Sequence, residues 1–260
     1  MCEQMLLGGL PLAYFNNVTS VFPRSPLMAC LMFGGPKLYP AGRQSYYGKT
    51  FGMHGPNDAL YLWDRWLGAD RTRPSDALPD EQSVVMRQFF SACEAEFGRP
   101  LLNKVNGPIA SAHLVGEVLD NSYFICVQRD DLYLAQSLYQ ARLDISGDVA
   151  RPYGLYHESF ENATDPAESV CRQAKFYRNF ATTQQARLGA DRFWIVSYEE
   201  LCENPQQLVD RAAQDVLHID QSQVREVAPS KVRDQQRLDD GLFNQLRSWI
   251  ENTKDVVDSG

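Results

Sequence analysis

Arg129 stands directly after the run Tyr123-Phe124-Ile125-Cys126-Val127-Gln128, which is nearly all bulky and apolar, and Ser137 follows eight residues later. An arginine fork offers parallel N–H donors to a phosphate. A serine hydroxyl adds one more, and a helix N-terminus beside them carries partial positive charge. The competing use of Arg129 is an ion pair with its neighbours Asp130 or Asp131. At an exposed surface such a pair contributes ~0–1 kcal/mol.

These residues need a scaffold that brings strand ends together. A strand apolar at successive positions reads as covered by helices on both faces, so 123–127 predicts a central parallel strand. The charged turn after it and the pair Leu134 and Leu138 predict a helix, giving half of a βαβ unit. Asp165-Pro166-Ala167-Glu168 combines a capping Asp, a first-turn Pro and a Glu at the third position, so a helix should run from there to about Leu188. Phe193-Trp194-Ile195-Val196 predicts a second buried strand, and Asn204-Pro205 repeats the helix-start signal before Leu208, Ala212 and Val216. Helices are also expected at Met1–Leu7, from Asn57 as cap to Gly68, over 81–97 on a Val85, Phe89, Cys93 face, and over 240–253. Leu12–Phe15 and Leu101–Val105 read as strands. Val18 to Arg43 shows no clean period, and Gly34-Gly35-Pro36 and Pro40-Ala41-Gly42 predict loop there. Alternating strands and helices imply one α/β domain over residues 1–260, a three-layer α/β/α arrangement with a mainly parallel central sheet. Its ligands would bind beyond the carboxyl ends of the strands.

The net charge of −8 excludes a broadly basic nucleic-acid surface, so an anionic ligand must be held by a local cluster. Six dispersed cysteines form no CxxC pair, and no stretch is apolar for long enough to span a bilayer. A cytoplasmic protein that holds no metal and has no nucleic-acid partner is the expectation.

Phe124-Ile125-Cys126-Val127-Gln128-Arg129-Asp130, followed by Ser137, resembles the 3′-phosphate-binding motif of sulfotransferases that use 3′-phosphoadenosine-5′-phosphosulfate (PAPS). In that family the strand ends in Arg-Asp-Pro, and here Asp131 replaces the proline. Leu101-Leu102-Asn103-Lys104 resembles the preceding family strand with its lysine. Ile195-Val196-Ser197-Tyr198-Glu199-Glu200-Leu201 with Asn204-Pro205 resembles a later strand and turn. Ser45-Tyr46-Tyr47-Gly48 and Gly55-Pro56-Asn57-Asp58 resemble an acceptor-side segment of some bacterial members. The resemblance implies a P-loop-like sulfotransferase fold and PAPS as nucleotide donor of a sulfuryl group. Arg129 and Ser137 would clamp the 3′-phosphate, Tyr198 would lie against adenine, and Lys104 would stabilise charge on the sulfuryl oxygens or the leaving phosphate. Lys231 and Arg233 would reach over the 3′-phosphate.

The family pattern also includes a Gly/Pro-rich 5′-phosphosulfate loop ahead of the first helix. No such loop precedes Met1, so the chain reads as N-terminally truncated against that pattern. Val21-Phe22-Pro23-Arg24-Ser25-Pro26 imitates part of the loop but lacks its Gly-Thr continuation, and no convincing helix is predicted after it. Transfer to a hydroxyl or amine of a carbohydrate or small-molecule acceptor needs a base. Asn106 stands where many cytosolic members carry histidine, which leaves His54 and Asp58 as candidates. A non-catalytic relative that at most binds adenosine 3′,5′-bisphosphate is the alternative. A P-loop kinase would need GxxxxGK[ST], which the chain lacks.

Overall fold

The computed structural model describes residues 1–33, 45–46, 49–156, 160 and 162–252. The expectations for Gly34-Gly35-Pro36, Pro40-Ala41-Gly42, Tyr47-Gly48 and residue 253 lie outside the described residues.

Helix α1 (Cys2–Gly9) is followed by strand β1 (Ala13–Tyr14), helices α2 (Asn17–Val21) and α3 (Pro26–Phe33), and a hairpin of β2 (Ser45–Tyr46) and β3 (Lys49–Thr50). Helices α4 (Leu60–Leu67) and α5 (Asp80–Phe97) precede β4 (Leu101–Leu102). Then come α6 (Ala112–Val118), β5 (Phe124–Gln128), α7 (Asp131–Ser146), α8 (Pro166–Leu188), β6 (Phe193–Ser197), α9 (Tyr198–Glu203), α10 (Pro205–Arg211) and α11 (Asp240–Asn252).

Local chemistry sets most of these boundaries. Asp165 accepts the Glu168 main-chain N–H at 2.9 Å while the Glu168 carboxylate reaches back to the Thr164 N–H at 2.6 Å, so the first turn of α8 is capped from both ends of its signature. Asp130 caps α7 by accepting from Leu132 and Tyr133, and Gly147, at φ 71°, ends it in the left-handed conformation that favours glycine.

The sheet differs from the single central one expected. Among the described residues the parallel strands form two separate pairs: β1 with β4, matching Ala13 to Leu101, and β5 with β6, matching Phe124 to Phe193 through Gln128 to Ser197. Strand β5 is only half-buried and Val127 is exposed, and among the described residues β6 is the strand that pairs with it.

Other boundaries depart from the periodicity. Residues 18–33 hold α2 and α3, so a helix does follow Val21–Pro26; Asn16 caps α2 by accepting the Thr19 N–H, a side-chain cap invisible to a search for period. Asn57 does not cap α4 but accepts from Ala59, which turns left-handed at φ 49° to start the helix. On α5 the inward face is Met86 and Cys93, and Val85 faces solvent.

Apolar packing holds this frame. Phe15, Trp63, Trp66, Met86 and Cys93 make an apolar cluster in which Trp63 and Trp66 meet edge to face at 5.5 Å. Thus Trp63 and Trp66 belong to the core. Met5 and Leu6 of α1 pack with Trp194, Leu201 and Val209. A Cβ at Gly9 would fall 2.6 Å from a Val209 methyl, so α1 approaches α10 as closely as only glycine permits. Helices α7, α8 and α11 join through Ala135, Val170, Ala174 and Leu246, and Ala112, Ala181 and Phe193 tie α6 and α8 to β6. Cys2, Cys93, Cys126, Cys171 and Cys202 are free thiols; burial pushes Cys126 up to about 11 and Cys2 and Cys171 up to about 12. These three are packing thiols, far from the thiolate form a nucleophile requires. Among the described residues no helix is long and apolar enough to cross a membrane.

Candidate functional site

Because β5 and β6 run parallel, the residues that follow them emerge at the same end: Arg129 after Gln128, and Tyr198 after Ser197. Arg129 Nη1 donates to Ser137 Oγ at 2.9 Å, and its Cζ lies 4.9 Å from the centre of the Tyr198 ring and 5.8 Å from that of Tyr133. The ring faces attract the cation while leaving its in-plane donors free for oxygens. Two acceptors come from the segment before α11: Arg129 Nε donates to Asp234 Oδ1 at 2.6 Å, and Nη2 donates to the Arg233 carbonyl at 2.8 Å. Asp234 Oδ1 is also 2.5 Å from Nη2.

The immediate neighbours of Arg129 have other partners. Asp130 is the α7 cap, and buried Asp131 turns to α8, where Arg178 donates to it at 2.8 Å and Lys175 lies 3.7 Å away. Asp131 is thus committed to the two cations of α8.

A second carboxyl faces the pair. Glu199 Oε2 accepts from Ser197 Oγ at 2.6 Å, Oε1 is buried without a hydrogen-bond partner, and the carboxyl interacts with Asp234. Two carboxyls this close disfavour each other's ionisation. Burial and then Glu199 drive the Asp234 carboxyl above its ordinary value, against the opposing pull of Arg129. Burial also lifts Glu199, but its hydrogen bonds with Ser197, Asp234 and the main chain together outweigh it and the net shift is downward.

Lys104 follows β4, and its Nζ donates to both oxygens of Asp58, at 3.1 and 3.0 Å. Neighbouring amides fix this register. Trp63 Nε1 donates to Asn103 Oδ1 at 2.7 Å, Asn103 Nδ2 donates to the Asn57 carbonyl at 3.1 Å, and the Asn57 N–H donates to the Phe15 carbonyl at 2.8 Å. Glu3, 8% exposed, stands behind the pair and accepts the Lys104 main-chain N–H. Burial pushes its carboxyl up to about 7, Lys104 pulls it down and Asp58 pushes it up again. The Tyr153 phenol is raised chiefly by burial and also by Asp58, so it belongs to the same neighbourhood.

The first turn of α1 stands between the two clusters. Met1 Sδ is 3.7 Å from Cys202 Sγ and 3.6 Å from Ser230 Oγ, on the Tyr198 side, while Glu3 binds Lys104 two residues later.

Of the residues singled out in the sequence, Arg129, Ser137 and Tyr198 meet, as do Lys104 and Asp58. His54 lies on the turn after β3, where its carbonyl accepts from the Tyr14 hydroxyl at 3.0 Å. Lys231 and Arg233 are exposed on the segment before α11; Arg233 contributes main chain, with its N–H donating to the Tyr198 hydroxyl at 3.2 Å. Glu3, Tyr133, Glu199 and Asp234 were not found by sequence reasoning. Tyr133, four residues past Arg129, and Glu199, beside Tyr198, sit next to recognised residues. Asp234, 105 residues from Arg129, has no local signal. Among the described residues no cluster of three or more His, Cys, Asp or Glu is arranged to hold a metal. Comparisons with protein-family models, with curated proteins and with solved structures return no match.

Proposed function

We propose that this chain is a PAPS-dependent sulfotransferase with the three-layer P-loop-like fold of that superfamily, acting in the cytoplasm on a hydroxyl or amine of a carbohydrate or small-molecule acceptor. The observation that carries the reading is the meeting of Arg129 and Ser137 at 2.9 Å beneath the Tyr198 ring, at the carboxyl end of a parallel strand pair. A guanidinium and a hydroxyl suit a phosphate monoester, and an amphipathic ring beside them suits a purine. PAPS, when bound, supplies the sulfuryl group. Arg129 and Ser137 hold its 3′-phosphate and Tyr198 lies against its adenine. Lys104 opposes negative charge that builds at the leaving phosphate. Asp58, held by Lys104 at 3.0 Å, takes the proton that the acceptor loses. Asp58 is preferred over His54 as the base because it shares a contact with the charge-stabilising lysine.

The test is calorimetric titration of the 260-residue chain with adenosine 3′,5′-bisphosphate. Arg129→Ala should weaken binding at least ~100-fold, about 3 kcal/mol, because no other donor can replace a bidentate fork. Equal affinity of the two proteins would sink the assignment. A second reading, a non-catalytic relative that binds the bisphosphate alone, draws support from Asp234, whose carboxylate already engages Arg129. Nucleotide binding without sulfuryl transfer from PAPS to any hydroxyl or amine acceptor would favour it.

A further inference from the structure

The guanidinium of Arg129 already carries an anion from its own chain. Asp234 Oδ1 lies 2.6 Å from Nε and 2.5 Å from Nη2, which are donors that a phosphate oxygen would take. We propose that Asp234 is a built-in competitor for this seat, and that a phosphate monoester binds at Arg129 and Ser137 by displacing the Asp234 carboxylate from the guanidinium. The inference rests on the reading of Arg129 as an anion-binding residue.

Three features make the contact displaceable. Asp234 belongs to residues 224–239, which form no helix or strand, so its side chain can turn without unfolding an element. The segment stays anchored on both sides by neutral bonds: the Ser230 N–H donates to the Cys202 carbonyl at 2.8 Å, the Arg233 N–H to Tyr198, and the Arg237 N–H to buried Gln136 at 2.7 Å. The Glu199 carboxyl, whose Oε1 is buried without a hydrogen-bond partner, interacts with Asp234, so Asp234 is crowded by a second carboxyl and held less firmly than in an isolated pair. A phosphate dianion brings more charge to the fork. It also offers an oxygen to the Ser137 hydroxyl, which Asp234 does not contact. A site whose competent form is only partly populated loses apparent affinity by that fraction, and removing the competitor restores it.

The experiment is titration of the full chain and its Asp234→Asn form with two probes, inorganic phosphate and adenosine 3′,5′-bisphosphate. Asp234→Ser serves as a second uncharged form should the first fail to fold. Displacement predicts that either probe binds the uncharged form about tenfold more tightly. Equal or weaker binding by the uncharged form would overturn the inference and leave the site reading standing, since Asp234 would then merely orient Arg129. Tighter phosphate binding with no nucleotide binding by either protein would support displacement and overturn the nucleotide reading. No binding of either probe to any form would overturn both.

Discussion

The Arg129 and Lys104 clusters each set one cation just past a parallel strand against two carboxyl groups, but the carboxyl that resists ionisation differs. At Arg129 it is Asp234, the group in contact with the cation. At Lys104 it is Glu3, buried behind, while Asp58 makes the contact. A contact that carries the unfavourable charge is built to be exchanged. One that stores it behind the pair keeps the visible ion pair intact. The supports differ in the same sense: an irregular segment presents Asp234, whereas amides of Asn57 and Asn103, locked to Trp63 and Phe15, hold Asp58 in register with Lys104.

Titration of Glu3 gives the largest expected effect and tests whether strain is stored behind Lys104. Its folded-state value of about 7 lies above the ordinary 4.5, so between those pH values the folded chain holds a proton that the unfolded chain releases. Its stabilising contribution is therefore complete below about pH 4.5, falls as pH rises and is gone above about pH 7, a change of about 3 kcal/mol. Glu3→Gln should flatten the stability–pH curve across this window in denaturant titrations. An unchanged slope would show that Glu3 is solvated. Removing the cation comes next. Lys104→Ala should cost about 2 kcal/mol at pH 8, less than the ~3–5 kcal/mol of a fully buried broken pair because Lys104 and Asp58 are each about a quarter exposed. The loss should shrink at pH 5, where Glu3 is neutral, and equal losses at both pH values would separate Glu3 from the pair. The smallest effect concerns the exchangeable cluster. Ser137→Ala removes one neutral donor and should weaken inorganic phosphate binding about fivefold, roughly 1 kcal/mol, with chain stability little changed. No change would mean that the hydroxyl serves only to position Arg129.

Much of this frame was legible in the residues. The apolar strands 124–128 and 193–197, the Asp165-Pro166-Glu168 helix start and the meeting of Arg129 with Ser137 all depend on neighbours within about ten positions, where spacing translates directly into geometry. Helices α2 and α3 were missed because a cap and apolar packing, with no amphipathic period, define them. The left-handed start of α4 at Ala59 was missed because no short-range preference favours it there.

By itself the sequence determined most of the element types, though not α2 and α3, the strand ends that carry Arg129, Lys104 and Tyr198, and the need for a local cation cluster in a chain of net charge −8. The tertiary structure alone decided which anions meet those cations. Asp58 lies 46 residues from Lys104 and Asp234 lies 105 from Arg129, separations across which no local pattern survives, so chain path and packing make these pairs. It also decided that Glu3 is desolvated, because burial is a property of everything packed around a side chain, and that is what sets its proton affinity.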